Sequence, residues 1–253
     1  MLRATGDVRR VIPVDEGRVL ELAEALLLPL GQQLGRLAGR GKAGVGTRIG
    51  IELPAKTLRD VRGERFGLRV RGELVVGRRN ETQGTTVPGL GRGKTRGVGV
   101  SLEMTEARAA VAGSDLGLWM NIWVPVVADI LLHELTHARD DLPALRPQEQ
   151  VYAGEQDPER RRAYFNRPDE VRAHLQQIVR EVLTTELPGE QLEKLSRSTR
   201  PGQQVEMLLA WSPTWEHVQP WLTEQNKRHV RWNVAQALAE HGKLVLGRRR
   251  LPR

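Results

Sequence analysis

The stretch Ile130-Leu131-Leu132-His133-Glu134-Leu135-Thr136-His137-Ala138 carries the pattern H-E-x-x-H inside an apolar, helix-forming run. Side chains four apart share one face of a helix, so His133 and His137 can aim both imidazoles at one metal ion, with Glu134 about 100° further round. Two neutral nitrogen donors suit Zn2+, and a carboxylate beside the open coordination position can take a proton from a bound water; this is the chemistry of a zinc hydrolase. Val127, Ile130, Leu131, Leu135 and Ala138 clothe the same helix with apolar groups on more than one face. Two histidines and a glutamate buried in such a helix are costly unless a metal or a wet cleft satisfies them.

A catalytic zinc site needs a third protein ligand and leaves its fourth position to water. Metzincins supply a histidine about six residues after the second one, with a glycine between. Here His137 is followed by Ala138-Arg139-Asp140-Asp141-Leu142-Pro143, which does not fit. The remaining source is a carboxylate from a following helix. Glu170 is the leading candidate, at the helix start Asn166-Arg167-Pro168-Asp169-Glu170 and close to the aromatic pair Tyr164-Phe165; Glu149, Glu155 and Asp169 are alternatives.

The elements that must position these groups follow from periodicity. Val19, Leu22, Leu26, Leu30, Leu34 and Leu37 recur at helical spacing over residues 14–37, with a kink expected at Pro29, and a glycine-rich loop at 39–46 follows. Between residues 47 and 104 the period changes to two: Ile49, Ile51 and Leu53; Phe66, Leu68 and Val70; Leu74 and Val76; Val98, Val100, Leu102 and Met104 each read as a strand with one buried face. Residues 77–97, rich in glycine and arginine, read as a long exposed loop or wide hairpin connection. A short helix is predicted over 106–112, and the motif helix over about 126–139 with Pro125 near its first turn. Residues 140–154 read as loop. Later helices are predicted from Pro168 to about residue 187, with Val171, Leu175, Ile178 and Val182 as the apolar stripe, then over 190–196, 201–211 and 213–241, the last capped by Ser212. Trp211, Trp215, Trp221 and Trp232 read as core or groove lining.

Charged residues are 28% and hydrophobic residues 39% of the 253, the balance of a folded water-soluble chain. The net charge of +8 favours acidic partners without naming one. With no cysteine, disulfides and thiolate metal sites are excluded. The N-terminal residues lack a secretory apolar region, and the apolar run 118–132 reads as interrupted and too short to span a bilayer, so a cytoplasmic protein with no membrane partner is expected, with a virion-associated location left open.

The motif His133-Glu134-Leu135-Thr136-His137-Ala138 resembles the active-site helix of thermolysin-like gluzincins. Asn166-Arg167-Pro168-Asp169-Glu170-Val171-Arg172-Ala173 is similar to the N-x-P-x-E-x-x-A segment of small bacterial and phage metallopeptidases. The resemblance covers residues 126–178. It implies an α+β, zincin-like fold in which an N-terminal, mostly antiparallel sheet with a helix packs on the active-site helix, and a helical half supplies the glutamate ligand. The domain division expected is 1–112, 113–246 and a basic tail 247–253. An edge strand of the sheet would pair with extended substrate, and the strand at 97–104 is the candidate. Where thermolysin carries an acid four residues after its glutamate ligand, this chain has His174, so Asp129 or Asp140 would orient a zinc histidine instead. His174 and Tyr164 are candidate transition-state donors.

The expectation is therefore a zinc-dependent metallopeptidase acting on a protein or peptide: His133, His137 and Glu170 as metal ligands, Zn2+ as cofactor, Glu134 as general base. The alternative is a nucleic-acid-associated regulatory protein, or a virion or toxin component, that binds an acidic partner or nucleic acid through the basic loop 77–97 and the tail 247–253.

Overall fold

The computed structural model describes residues 16–59, 64–86, 95–139, 157–184, 190 and 200–241. It is an α+β structure with one mixed sheet, and its elements fall into two compact units, residues 1–145 and 146–253.

The first unit opens on α1 (Glu16–Ala38), whose Val19, Leu22, Leu26, Leu30 and Leu34 are all buried, and which carries Pro29 inside it. Five strands follow: β1 (Arg48–Glu52), β2 (Lys56–Arg59), β3 (Arg65–Gly77), β4 (Glu81–Thr86) and β5 (Thr95–Thr105). The two expected sets Phe66–Val70 and Leu74–Val76 are one strand, because the alternation of buried residues continues unbroken from Phe66 to Val76. The sheet order is β1-β3-β5-β4, with β2 also on β3. Three of the pairings are antiparallel, but the longest, β3 with β5, is parallel and runs from Gly67↔Thr95 to Gly77↔Thr105. The sheet is thus mixed, with a parallel pair at its centre.

Two expectations change here. Residues 77–97 are not simply a loop: β4 lies within them and pairs antiparallel with β5 from Glu81↔Glu103 to Thr86↔Val98. The chain leaves β3, steps across the C-terminal end of β5 and returns as β4 on its far side. The step is pinned by Asn80, whose Oδ1 accepts from Thr105 N at 3.1 Å, and by Glu103, whose Oε1 accepts from Arg78 N and Arg79 N at 3.2 and 3.4 Å. Consequently the strand at 97–104 is not an edge: β5 is paired on both sides, and the edge beyond it is β4. Residues 87–94, with Arg92 and Lys94, lie outside the described residues.

Two helices complete the unit. The short α2 (Glu106–Ser114) precedes α3 (Leu116–Arg139), started by Asp115, whose Oδ1 accepts from Leu118 N at 2.8 Å. The motif helix therefore begins well before the expected residue 126, and Pro125 lies within it. A proline removes the bond to the carbonyl four residues earlier and crowds that carbonyl with its ring. That carbonyl belongs to Asn121, which is solvent-exposed, so water can satisfy it and the helix continues. The apolar run is also longer than expected. By length and mean hydropathy (1.5) α3 passes the test for a membrane-crossing helix, with a third of that window buried. Trp119, Trp123, Val127, Leu131 and Leu135 join α1 and the inner face of the sheet in one apolar core, an arrangement compatible with a water-soluble unit.

In the second unit the described helices are α4 (Pro158–Phe165), α5 (Pro168–Thr184), α6 (Pro201–Leu209), α7 (Pro213–Val218) and α8 (Glu224–Glu240). The single helix expected over 213–241 is two. Pro220 has no N–H for the Glu216 carbonyl, and Thr223 restarts the helix by accepting from Asn226 N at 3.3 Å. Glu181 of α5 ties down the start of α7, accepting from Ser212 Oγ, from Thr214 N at 3.2 Å and from Thr214 Oγ1 at 2.5 Å. Trp215 is buried as expected, whereas Trp211 and Trp232 are exposed. The predicted helix at 190–196 lies outside the described residues except for Glu190, as do the loop 140–154 and the tail 247–253.

Candidate functional site

The motif helix sets His133 and His137 one turn apart on α3, half-buried, with Nε2 to Nε2 3.0 Å and the rings inclined at 73°. Thr136 behind them turns its hydroxyl to Leu132 O at 2.7 Å, so it satisfies itself within the helix. Glu134 is buried and lies under the edge strand β4. The contact is close: a Cβ built on Gly84 would sit 2.6 Å from Ile130 Cγ2 and 2.7 Å from both Cγ and Oε1 of Glu134. Only a residue without a side chain lets the strand cross here. Asp129 stands one turn before His133 and is half-buried; Asp140 lies outside the described residues.

In the second unit the chain builds a carboxylate-bearing helix start. Asp157 caps α4, accepting from Glu159 N at 2.9 Å, with Pro158 in the first turn. Between α4 and α5 comes Asn166, whose amide is fully used. Its Nδ2 donates to Arg162 O at 2.7 Å and Trp221 O at 2.8 Å, and its Oδ1 accepts from Thr223 N at 2.7 Å and Asn226 Nδ2 at 2.8 Å. The α4–α5 junction is thereby fastened to the turn before α8. Asp169 and Glu170 occupy the first turn of α5, where the helix dipole favours negative charge, and both are buried. Asp169 is held by the Arg167 fork, Nε to Oδ1 at 3.2 Å and Nη2 to Oδ2 at 2.5 Å, so it is committed to an ion pair.

His174 faces Glu170 one turn later, Nε2 to Oε2 3.9 Å, and its Nδ1 is 3.1 Å from Gln177 Oε1. An amide oxygen can only accept, so Nδ1 carries the proton in that pairing, and Nε2 at 3.9 Å is beyond hydrogen-bond distance of the carboxylate. The Phe165 ring lies against His174 at 5.4 Å, Tyr164 at 5.1 Å and His217 at 5.6 Å. Burial, and secondarily the positive charge of Arg161, push the His217 pKa below its ordinary value. Tyr164 is half-buried, with the Arg167 guanidinium 6.0 Å from its ring centre.

Of the residues singled out by sequence, the histidine pair and Glu134 come together on one helix, and Glu170 and His174 on another. Glu149 and Glu155 lie outside the described residues. Sequence reasoning assigned nothing to Gly84, Gln177 or Arg167, and quoted Asn166 without a task. Asn166 was signalled by the Asn-x-Pro spacing before α5; Gly84, in Thr82-Gln83-Gly84-Thr85, had no signal of its own. The described part of the basic loop is engaged locally: Arg79 pairs with Glu81 at 3.4 Å and Arg96 lies over the Phe66 ring at 4.7 Å. No family model matches this sequence, and no curated protein or solved structure matches it either.

Proposed function

We propose that the chain is a zinc-dependent metallopeptidase, with His133, His137 and Glu170 as metal ligands and Glu134 as the general base. The observation that carries the reading is the approach of the two half-buried Nε2 atoms to 3.0 Å on a helix packed into the core. Tetrahedral zinc with bonds of about 2.0–2.1 Å holds two nitrogens about 3.3 Å apart, within a few tenths of an ångström of that spacing. The same separation is also within hydrogen-bond range for two ring nitrogens. The donor set fits: two nitrogens and one carboxylate, the common composition of a hydrolytic zinc site. His133 and His137 on α3 and Glu170 on α5 are the donor types that could hold a metal ion.

Once bound, the ion supplies Lewis acidity and draws the pKa of a water toward about 7. The protein's own groups do the rest. Glu134, buried beneath β4, takes up a proton at its carboxylate and later gives it to the departing amine. Gln177 fixes the ring of His174 beside Glu170, where His174 is a further candidate transition-state donor. Tyr164 is the candidate donor to the developing oxyanion. Extended substrate is assigned to the free edge of β4, the strand that crosses Glu134, in place of β5. The reading suits an intracellular enzyme acting on a protein or peptide.

The test is metal analysis of the purified protein with two variants. Glu134→Gln should retain close to one zinc per chain and lose peptide hydrolysis, whereas Glu170→Ala should lose zinc. A fully active Glu134→Gln protein overturns the mechanism. Zinc held at wild-type affinity by Glu170→Ala moves the third ligand to another carboxylate.

A further inference from the structure

The face of the first unit formed by α1 and α3 carries a groove of about 500 Å3. Its walls are mostly apolar, with Leu28, Met120 and Val124 among them, and Leu118 and Ile122 stand exposed on the same stretch of α3. Leu28, Leu118 and Ile122 are 43%, 50% and 42% accessible, an unusual concentration of large aliphatic groups in water for so short a stretch. Such a face is a candidate binding surface.

The polar features of the groove choose the occupant. Glu21 and Glu24, one turn apart on α1, place two exposed carboxylates on its rim in a chain whose net charge is +8. Two further acceptors come from the prolines. Pro29 has no N–H for the Ala25 carbonyl, and Pro125 none for the Asn121 carbonyl, and both Ala25 and Asn121 line the groove. Each of these two carbonyls therefore lacks its i+4 helical donor. Carboxylates and carbonyls accept hydrogen bonds and donate none, so the matching ligand is rich in donors, positively charged and apolar on one side.

We propose that this groove docks a cationic amphipathic peptide segment of a partner protein, whose Lys or Arg side chains meet Glu21 and Glu24 while its apolar residues cover Leu28 and Val124. The binding mode is that of an amphipathic helix in a hydrophobic groove. The surface is separate from the histidine motif and does not depend on the peptidase reading.

The probe is a fluorescently labelled amphipathic Leu/Lys helix of about five turns, with a Leu/Glu peptide of the same pattern as its counterpart, and the readout is anisotropy against the full-length protein. Saturable binding of the Leu/Lys peptide is expected, weakened about five- to tenfold in Glu21→Gln/Glu24→Gln. Leu28→Gln should weaken it as well, and the Leu/Glu peptide should bind far less. All three positions are exposed, so circular dichroism should find the variants folded. Equal binding of both peptides overturns the charge argument. Binding that ignores all three substitutions places the peptide elsewhere, the histidine site included, and overturns the proposal. So does a concentration-dependent dimer that Leu28→Gln dissolves, which would make the occupant a second copy. Binding of anionic vesicles that Leu28→Gln abolishes, with no binding of the Leu/Lys peptide, would make it a lipid surface and equally overturn the proposal.

Discussion

Replacing Gly84 with alanine adds one methyl group at the crossing of β4 and α3. The new Cβ would lie 2.6 Å from Ile130 Cγ2 and 2.7 Å from Cγ and Oε1 of Glu134, where ordinary carbon contacts are about 3.5–4.0 Å. Three atoms must each give by nearly an ångström. Overpacking of one methyl in a packed site costs about 1–3 kcal/mol, and β4 has a free edge that can yield, so about 2 kcal/mol is expected. For a protein of this size that is a fall in Tm of about 4–8 °C, readable by calorimetry. A double-mutant cycle identifies the partner. Glu134→Ala removes two of the three colliding atoms, so Gly84→Ala in that background should be about 1 kcal/mol less destabilising than in the wild type. Peptide hydrolysis should fall by about a hundredfold with zinc content unchanged, since an ångström of misplacement at a reacting carboxylate has about that effect. A Gly84→Ala protein that melts with the wild type, or a cycle without coupling, refutes the geometry.

Two further outcomes follow from the second unit. Asn166→Ala strips four hydrogen bonds and leaves Thr223 N and Trp221 O without their partner, a loss of about 2–3 kcal/mol in urea unfolding. Asn166→Asp, which puts a carboxylate oxygen against the Arg162 and Trp221 carbonyls, should lose at least as much, and a near-neutral effect would contradict the assignment. His217, held below its ordinary value of 6.5 chiefly by burial, is neutral in the folded protein, and burial lowers His229 in the same direction. On acidification the unfolded chain takes up these protons first, so their contribution to stability is present above about pH 6.5 and is lost as the pH falls below it. Midpoints measured between pH 7.5 and 5 should decline, and His217→Gln should flatten the decline; an unchanged slope would count against it.

Helices were legible wherever an apolar stripe coincided with a cap. The stripe of α1 put that helix within a residue or two of where it stands, and the Asn-x-Pro signal placed the start of α5 at Pro168. The start of α3 was not legible because Pro125 reads as a helix start. Its penalty is local, one exposed carbonyl, while Asp115 caps the chain ten residues earlier. The short α4 was signalled only by Asp157-Pro158, a cap followed by a first-turn proline, and its polar sequence offers no stripe to confirm it. At the site, the histidines and Glu134 were legible because a four-residue spacing on a helix fixes relative direction. The Arg167–Asp169 pair was not, since nothing in the order of residues says that Asp169 rather than Glu170 will be the carboxylate given to an arginine.

The most consequential misreading, taking β4 for a loop, has its cause in the site itself. Strand recognition rests on alternating apolar side chains, and the positions of β4 opposite the buried Val100 and Leu102 are Gly84 and Thr82. A valine at 84 would have completed the pattern and made the strand evident. It would also have pushed the strand off α3, since even a methyl collides with Glu134. What hides the strand in the sequence is therefore the condition for laying a free sheet edge directly over the proposed general base. β3 and β5, which keep the alternation of buried side chains, are the two interior strands of the sheet.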